Sequence, residues 1–268
     1  MKLIKSAIVA CALATAVTGC KTNPVTGRKT FQIVPESEMR SAATQQYASF
    51  LSTNRPANGT ADAAMVQRVG QRMATAVQQY MQSIGHAGDI SGYQWEFNLV
   101  NNNEANAWCM PGGKVVVYTG ILPLTQNEAG LAVVMGHEIA HAVARHGNER
   151  MSQQLAVQGL GTGLAVALSS KPAQTQSIWN TVYGVGSTLG VLAYSRTHES
   201  EADHMGLIFM ALAGYNPNEA PAFWTRMASK GGQKQPEFLS THPSDQRRIN
   251  DIKGWIPEAM KSYKPQGK

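Results

Sequence analysis

Little in this chain can cross-link it. Cysteine occurs three times in 268 residues, as Cys11, Cys20 and Cys109. The first two fall in, or at the end of, an N-terminal segment that reads as a processed signal. Cys109 is thus left alone, and a disulfide-stapled fold is excluded. Charge is sparse as well, at 15% of residues. No cluster of lysine and arginine interleaved with aromatics breaks that sparseness, so nucleic acid is excluded as a partner. Beyond the N-terminus there is no uninterrupted run of 18 apolar residues, which argues against a later membrane helix. What is present, 43% hydrophobic residues, suits one globular domain with at most a small appendage.

The start of the chain has its own pattern. Lys2 and Lys5 precede an apolar stretch, Ala7 to Val17, and small residues follow, the charged-apolar-small order of a secretory signal. Val17-Thr18-Gly19-Cys20 resembles the lipobox of bacterial lipoproteins, in which the cysteine is acylated and becomes the mature N-terminus. An ordinary signal peptide cut near Gly19, or a short buried helix, is the plainer alternative. The expected division is a signal at 1–19, a lipidated tether at 20–35 and a catalytic domain at 36–268. Position 21 is Lys rather than Asp, and by the same resemblance this favours the outer membrane, the domain facing the periplasm and Cys20 carrying the lipid. Loss of Lys2 and Lys5 with the signal lowers the net charge from +6 to +4, too mild a balance to identify a partner.

Turn residues and a few apolar anchors over 21–35 predict a tether that docks onto the domain. Ser37 and Glu38 open a helix to about Leu51. Met65, Val69, Met73, Val77 and Met81 recur every four residues and predict a second helix over 61–83, its methionines filling core gaps. Trp95 to Val100 and Gly113 to Thr119 read as strands, with a turn at Pro111-Gly112-Gly113 between them. They predict a small antiparallel sheet just before the next helix, whose edge is suited to pairing with an extended peptide. Later, Gly159 to Gly190 is apolar and dotted with glycine, a pattern for two helices with a mobile connection.

The chemistry lies between these parts. His137-Glu138-Ile139-Ala140-His141 sits in an apolar run from Ala129 to Val143. Imidazoles four residues apart share one helical face, the spacing zinc requires, and Glu138 beside them is placed to take a proton from water. Leu131, Val133, Val134, Met135, Ile139, Ala140 and Val143 make the helix apolar nearly all round, so it should be buried. Buried imidazoles need partners. A third protein ligand is still required. His146 lies about 140° round the helix from His141, and Ala144 and Gly147 exclude the extended motif of the metzincins; His146 is expected to support rather than ligate. Further on, Glu199 and Asp203 share a face at i,i+4 while Glu201 is turned roughly 200° away. Glu199 is therefore the expected third ligand. Asp203 would accept a hydrogen bond from a ligand histidine and fix its tautomer.

His137-Glu138-x-x-His141, Glu199-x-x-x-Asp203, Asn106-Ala107 with Pro111-Gly112-Gly113, and Ser240-Thr241-His242-Pro243 together resemble the M48 metallopeptidases, the Ste24- and Oma1-like family, over roughly residues 60–255. The resemblance implies a mostly helical α+β fold of the zincin (gluzincin) type with a small antiparallel sheet beside the active-site helix, and one zinc ion per chain. It also implies a soluble periplasmic branch of the family. His242 is similar to a family histidine facing the metal across the cleft, acting either as an oxyanion stabiliser or as an inhibitory fourth ligand. Arg248 is similar to a family arginine near the substrate carbonyl. The expected activity is zinc-assisted hydrolysis of polypeptides, with unfolded or misassembled envelope proteins as substrates. The rival from another class is a non-catalytic assembly factor that binds extended strands along the same cleft, against which Glu138 argues.

Overall fold

The computed structural model describes residues 19–157, 194–230, 237–243 and 246–265. The expected signal, apart from its last residue, and the glycine-dotted stretch after Gly159 lie outside the described residues. So do Ser244 and Asp245, where a helix start is expected after His242. The chain opens with a two-stranded antiparallel ribbon, β1 (Cys20–Thr22) and β2 (Lys29–Phe31). Helix α1 (Glu36–Thr53) follows and buries Met39, Ala43, Tyr47 and Phe50, a spacing of three and four that keeps them on one face. Next comes α2 (Ala61–Ser83), whose bounds match the four-residue apolar repeat. The Thr60 side chain caps it by accepting from the Ala63 N–H, filling one of the donors a helix start leaves open.

Three strands form the second sheet, β3 (Glu96–Val100), β4 (Ala107–Met110) and β5 (Lys114–Tyr118), in the order β3-β5-β4. This sheet is mixed rather than wholly antiparallel. The Pro111-Gly112-Gly113 turn, with both glycines at positive φ, reverses the chain and pairs β4 with β5 antiparallel, Cys109 opposite Val115. The short connection from β3 carries the chain past the central strand, so β3 runs parallel to β5, Phe97 opposite Val115. Being central, β5 is buried on both faces: Val115 and Val117 join the main core, while Val116 and Tyr118 join a smaller cluster under α1. Each such valine contributes about 1.5–3 kcal/mol of burial.

Helix α3 (Glu128–Val143) carries the histidine motif. Asn127 caps it by accepting from the Gly130 N–H. It stops because Arg145 takes a left-handed backbone, φ 59°, and the chain restarts as α4 (His146–Val157). Helix α5 (Arg196–Leu212), capped by Ser195 accepting from the His198 N–H, carries the acidic cluster. α6 (Glu219–Ser229), the short α7 (Glu237–Thr241) and α8 (Gln246–Ala259) complete the described fold.

Helices α3 and α5 cross where Gly136 meets Gly206. A Cβ on Gly136 would lie 3.0 Å from the Gly206 carbonyl oxygen, and one on Gly206 would lie 3.0 Å from the Gly136 carbonyl carbon and from the His137 nitrogen. The backbones therefore touch one residue before the first histidine of the motif. That contact brings the His137 and Glu199 faces together.

Candidate metal centre

His137 and His141 project from one face of α3, their Nε2 atoms 3.0 Å apart. Glu199 reaches toward them from α5, its oxygens 3.4 Å from His137 Nε2 and 3.3 Å from His141 Nε2. His242, just past α7, closes the group with Nδ1 3.0 Å from His137 Nε2 and 2.9 Å from Glu199 Oε1. One potential ligand atom from each of these four buried residues lies within 4.8 Å of the others. Three imidazole nitrogens and a carboxylate form a donor set that suits zinc.

Each motif histidine is backed by a different arrangement. Behind His137, Nδ1 lies 2.9 Å from Asp203 Oδ1, and Asp203 is gripped by the Arg248 fork, Nε to Oδ2 at 2.7 Å and Nη2 to Oδ1 at 2.8 Å. With His137 Nε2 turned to the group, a proton on Nδ1 would face Asp203, which favours that tautomer. Behind His141, Nδ1 meets His146 Nδ1 at 2.8 Å, and His146 Nε2 meets Glu201 Oε2 at 2.8 Å. If His141 presents a bare Nε2, it donates from Nδ1. His146 then accepts at Nδ1 and donates from Nε2 to Glu201. The break at Arg145 makes this contact possible, because an unbroken helix would have carried His146 round to another face.

The electrostatics follow the burial. Desolvation and the neighbouring His137 push His141 well below the usual histidine range, and burial lowers His146 to about 4 despite its bond to Glu201. The first suits the neutral imidazole that a metal needs, whereas Glu199 and Asp203 outweigh burial and raise His137. Burial alone would raise Glu199, but His242, Arg248 and His137 together hold it well below the ordinary carboxylate value. Glu138 goes the other way. Burial lifts it to about 7, with Glu199 adding repulsion and His242 and Arg248 opposing. Its Oε1 lies 3.3 Å from His242 Nε2 without hydrogen-bond alignment, and its carboxyl accepts a backbone bond from Cys109 on β4. Glu199 Oε2 is in a similar state, 2.9 Å from Arg248 Nη1 yet not aligned for a hydrogen bond. Buried oxygens left in this way fit a bound cation.

Arg248 is buried rather than solvated. Its Nη1 bonds to the His242 and Pro243 carbonyls and its guanidinium stacks 3.4 Å over the Trp224 ring. It stands behind the ligands, holding Asp203 and Glu199. Several participants were not singled out by sequence. Tyr194 stacks on His141 with ring centroids 4.0 Å apart. Glu201 points away from Glu199 on its own helix yet meets His146. Arg28, in the loop between β1 and β2, bonds to both Glu201 and Glu149. A residue pair 173 positions apart leaves no local periodicity to read. Cys20 is exposed in β1 and Cys109 is buried in β4. Among the described residues no helix is long and apolar enough to cross a membrane.

Comparison with known proteins agrees with this geometry. The model of Peptidase family M48 matches residues 60–256. The chain is 38% identical over 186 residues to the mitochondrial metalloendopeptidase OMA1 of Schizosaccharomyces pombe, covering 69% of this chain and 53% of that protein. It is 37% identical to the Saccharomyces cerevisiae OMA1, covering 65% and 50%. It is 30% identical to the beta-barrel assembly-enhancing protease of Escherichia coli, covering 65% and 38%. The matched region thus spans about half or less of the length of these relatives.

Proposed function

The chain belongs to peptidase family M48, and from that premise we propose that it is a zinc-dependent endopeptidase acting on polypeptides in extended form. The observation that carries this reading is the juxtaposition of Glu138 with the His137-His141-Glu199 group, all buried, beside the edge of β4. His137, His141 and Glu199 would hold the ion, with Asp203 fixing the His137 tautomer. Zinc, when bound, supplies Lewis acidity that lowers the pKa of water and polarises a carbonyl. Glu138 would take the proton from the attacking water and return it to the leaving amine. Cationic zinc would draw its pKa down from about 7 toward a more acidic value.

Among the described residues, β4 pairs only with β5, and its backbone reaches Glu138 through Cys109. An extended substrate adding to that free edge would bring its scissile bond to the carboxyl. Arg248, held by Asp203 and Glu199, acts by fixing the ligands and adds positive potential for the developing oxyanion from behind them. Lipid attachment at Cys20, a place on the periplasmic face of the outer membrane, and unfolded or misassembled envelope proteins as substrates complete the proposal. The names of the bacterial relatives support the last of these.

The test is Glu138→Gln in the full-length protein. With zinc bound, cleavage of unfolded casein should fall by about 10²–10⁴-fold, and a chelator should abolish cleavage by the parent. Equal cleavage by the variant would sink the role of Glu138, and no cleavage by the zinc-loaded parent would favour a strand-binding assembly factor. A second reading concerns His242, whose Nδ1 lies among the ligand atoms. We infer that it restrains the site as a fourth ligand, so His242→Ala should raise proteolysis; unchanged activity would count against restraint, and lower activity would favour oxyanion stabilisation instead.

A further inference from the structure

The loop between β1 and β2 lies outside the region matched by the family model, yet it reaches the support of the metal centre. Three of its side chains converge on Glu201. Asn23 Nδ2 donates to Oε1 at 2.8 Å, the Thr26 hydroxyl donates to the same oxygen, and Arg28 Nε donates to Oε2 at 2.5 Å. The remaining arms of Arg28 form a fork on Glu149, at 3.0 and 2.7 Å. Glu149 in turn accepts from His198 Nε2 at 3.1 Å, and the His198 ring stacks on His146 with centroids 4.5 Å apart. The loop is itself held by backbone bonds, Asn23 N–H to the Arg28 carbonyl and Gly27 N–H to the Asn23 carbonyl, both 2.8 Å. Gly27 sits at φ 73°, where a side chain would strain the turn.

We propose that the Asn23–Arg28 loop is a positioning element of the metal centre: it fixes Glu201 and Glu149, which orient His146, which sets the tautomer and ring angle of His141. This rests on the reading of His141 as a ligand. The physical case is that of any outer support of a metal-bound histidine. An imidazole is a good ligand only when its other nitrogen has a fixed hydrogen-bond partner, and here that partner is a second imidazole needing its own anchor. Glu201 alone, on one rotatable stem, would not hold His146 in a single orientation. With Asn23 and Thr26 on one oxygen and Arg28 on the other, both oxygens are fixed. A bidentate guanidinium serves because it ties two carboxylates at once in a plane, which a lysine ammonium does not do. The loop carries no group that reaches the ligand atoms, and the contact by which it reaches His141 is His146.

Zinc affinity of the full-length protein, measured by competition with a chromogenic chelator, tests this directly. Outer supports of metal ligands typically contribute about 10–100-fold to affinity. One step further out, Arg28→Met should weaken zinc binding by about 3–10-fold and lower kcat more than KM, while Arg28→Lys should fall between variant and parent. A purely structural loop would instead lower thermal stability and leave affinity within two-fold of the parent, as the surface control Arg68→Met is expected to do. The deciding measurement is a double-variant cycle. If the loop acts through His146, Arg28→Met should have little further effect on affinity in a His146→Gln background; a full additive loss overturns the proposal. Should Arg28→Met not fold, the cycle is run with Arg28→Lys under the same criterion. His141→Ala separates the two readings. If it leaves zinc affinity unchanged, the ligand assignment itself fails; if it lowers affinity while both Arg28 variants do not, only the role of the loop fails.

Discussion

The two motif histidines are alike in sequence and unlike in how they are held. His137 leans on one carboxylate, Asp203, clamped by Arg248, and all three are buried. His141 leans on another imidazole, then on Glu201, then on Arg28, whose side chain is 21% exposed. The first arrangement is short and dry and built from the helical core. The second is longer, and it ends in a loop near the start of the described chain. Stability should therefore be concentrated on the His137 side, and sensitivity to the outer chain on the His141 side.

The sharpest way to break this contrast is Arg248→Met. It leaves Asp203 and Glu199 as buried carboxylates without their cation, a change that costs about 3–5 kcal/mol. Urea denaturation of the metal-free protein should show that loss, and a loss below that for Arg28→Met would invert the comparison. Next in size is Asp203→Asn, which keeps the shape but weakens the hold on His137. Zinc affinity should drop by about 10–100-fold, and by more than for His146→Gln, for which the low end of that range, about 10-fold, is expected. Equal losses would mean that the interposed imidazole orients its ligand as firmly as a carboxylate does.

The smallest effect is in acid. Burial favours the neutral form of Glu149, but His198 and Arg28 outweigh it and lower the group to about 2 from an ordinary 4.5. A lowered carboxylate stabilises the fold above the unfolded value and loses that contribution as pH falls from about 4.5 toward 2. Glu149 is buried but its partner Arg28 is 21% exposed, so screening at the Arg28 end trims the contribution to about 1 kcal/mol. Stability measured across that window should fall less steeply in Glu149→Gln than in the parent. An unchanged slope would remove Glu149 from the account of the His141 side.

The same contrast decides what could be read in the sequence. The His137 side was legible because its parts are helical neighbours, Glu199 and Asp203 at i,i+4 and the two histidines likewise, and helix geometry fixes which residues share a face. The 61–83 helix was legible for the same reason. The His141 side depends on events that periodicity does not record. Arg145 adopts φ 59°, which restarts the helix and swings His146 under His141, and nothing in Ala-Arg-His signals a left-handed arginine. Glu201 looked idle because its partners come from Arg28 and His146, not from its own helix. The parallel pairing of β3 with β5 was hidden too, since alternation marks a strand but not the direction of its neighbour. Arg248 was legible as a residue of interest, though only the packed fold placed it behind the ligands.

The crossing of Gly136 on Gly206 sets a mechanical tolerance for all of this. Because main chain rests on main chain there, the opening between the two helices is gauged by peptide atoms that have no rotamers to change. A single added methyl at either glycine would wedge the two helices apart and move His137 and Glu199 together with everything they hold. The spacing of the helices that carry His137 and Glu199 is thus set by main-chain contact at two positions that lack a Cβ.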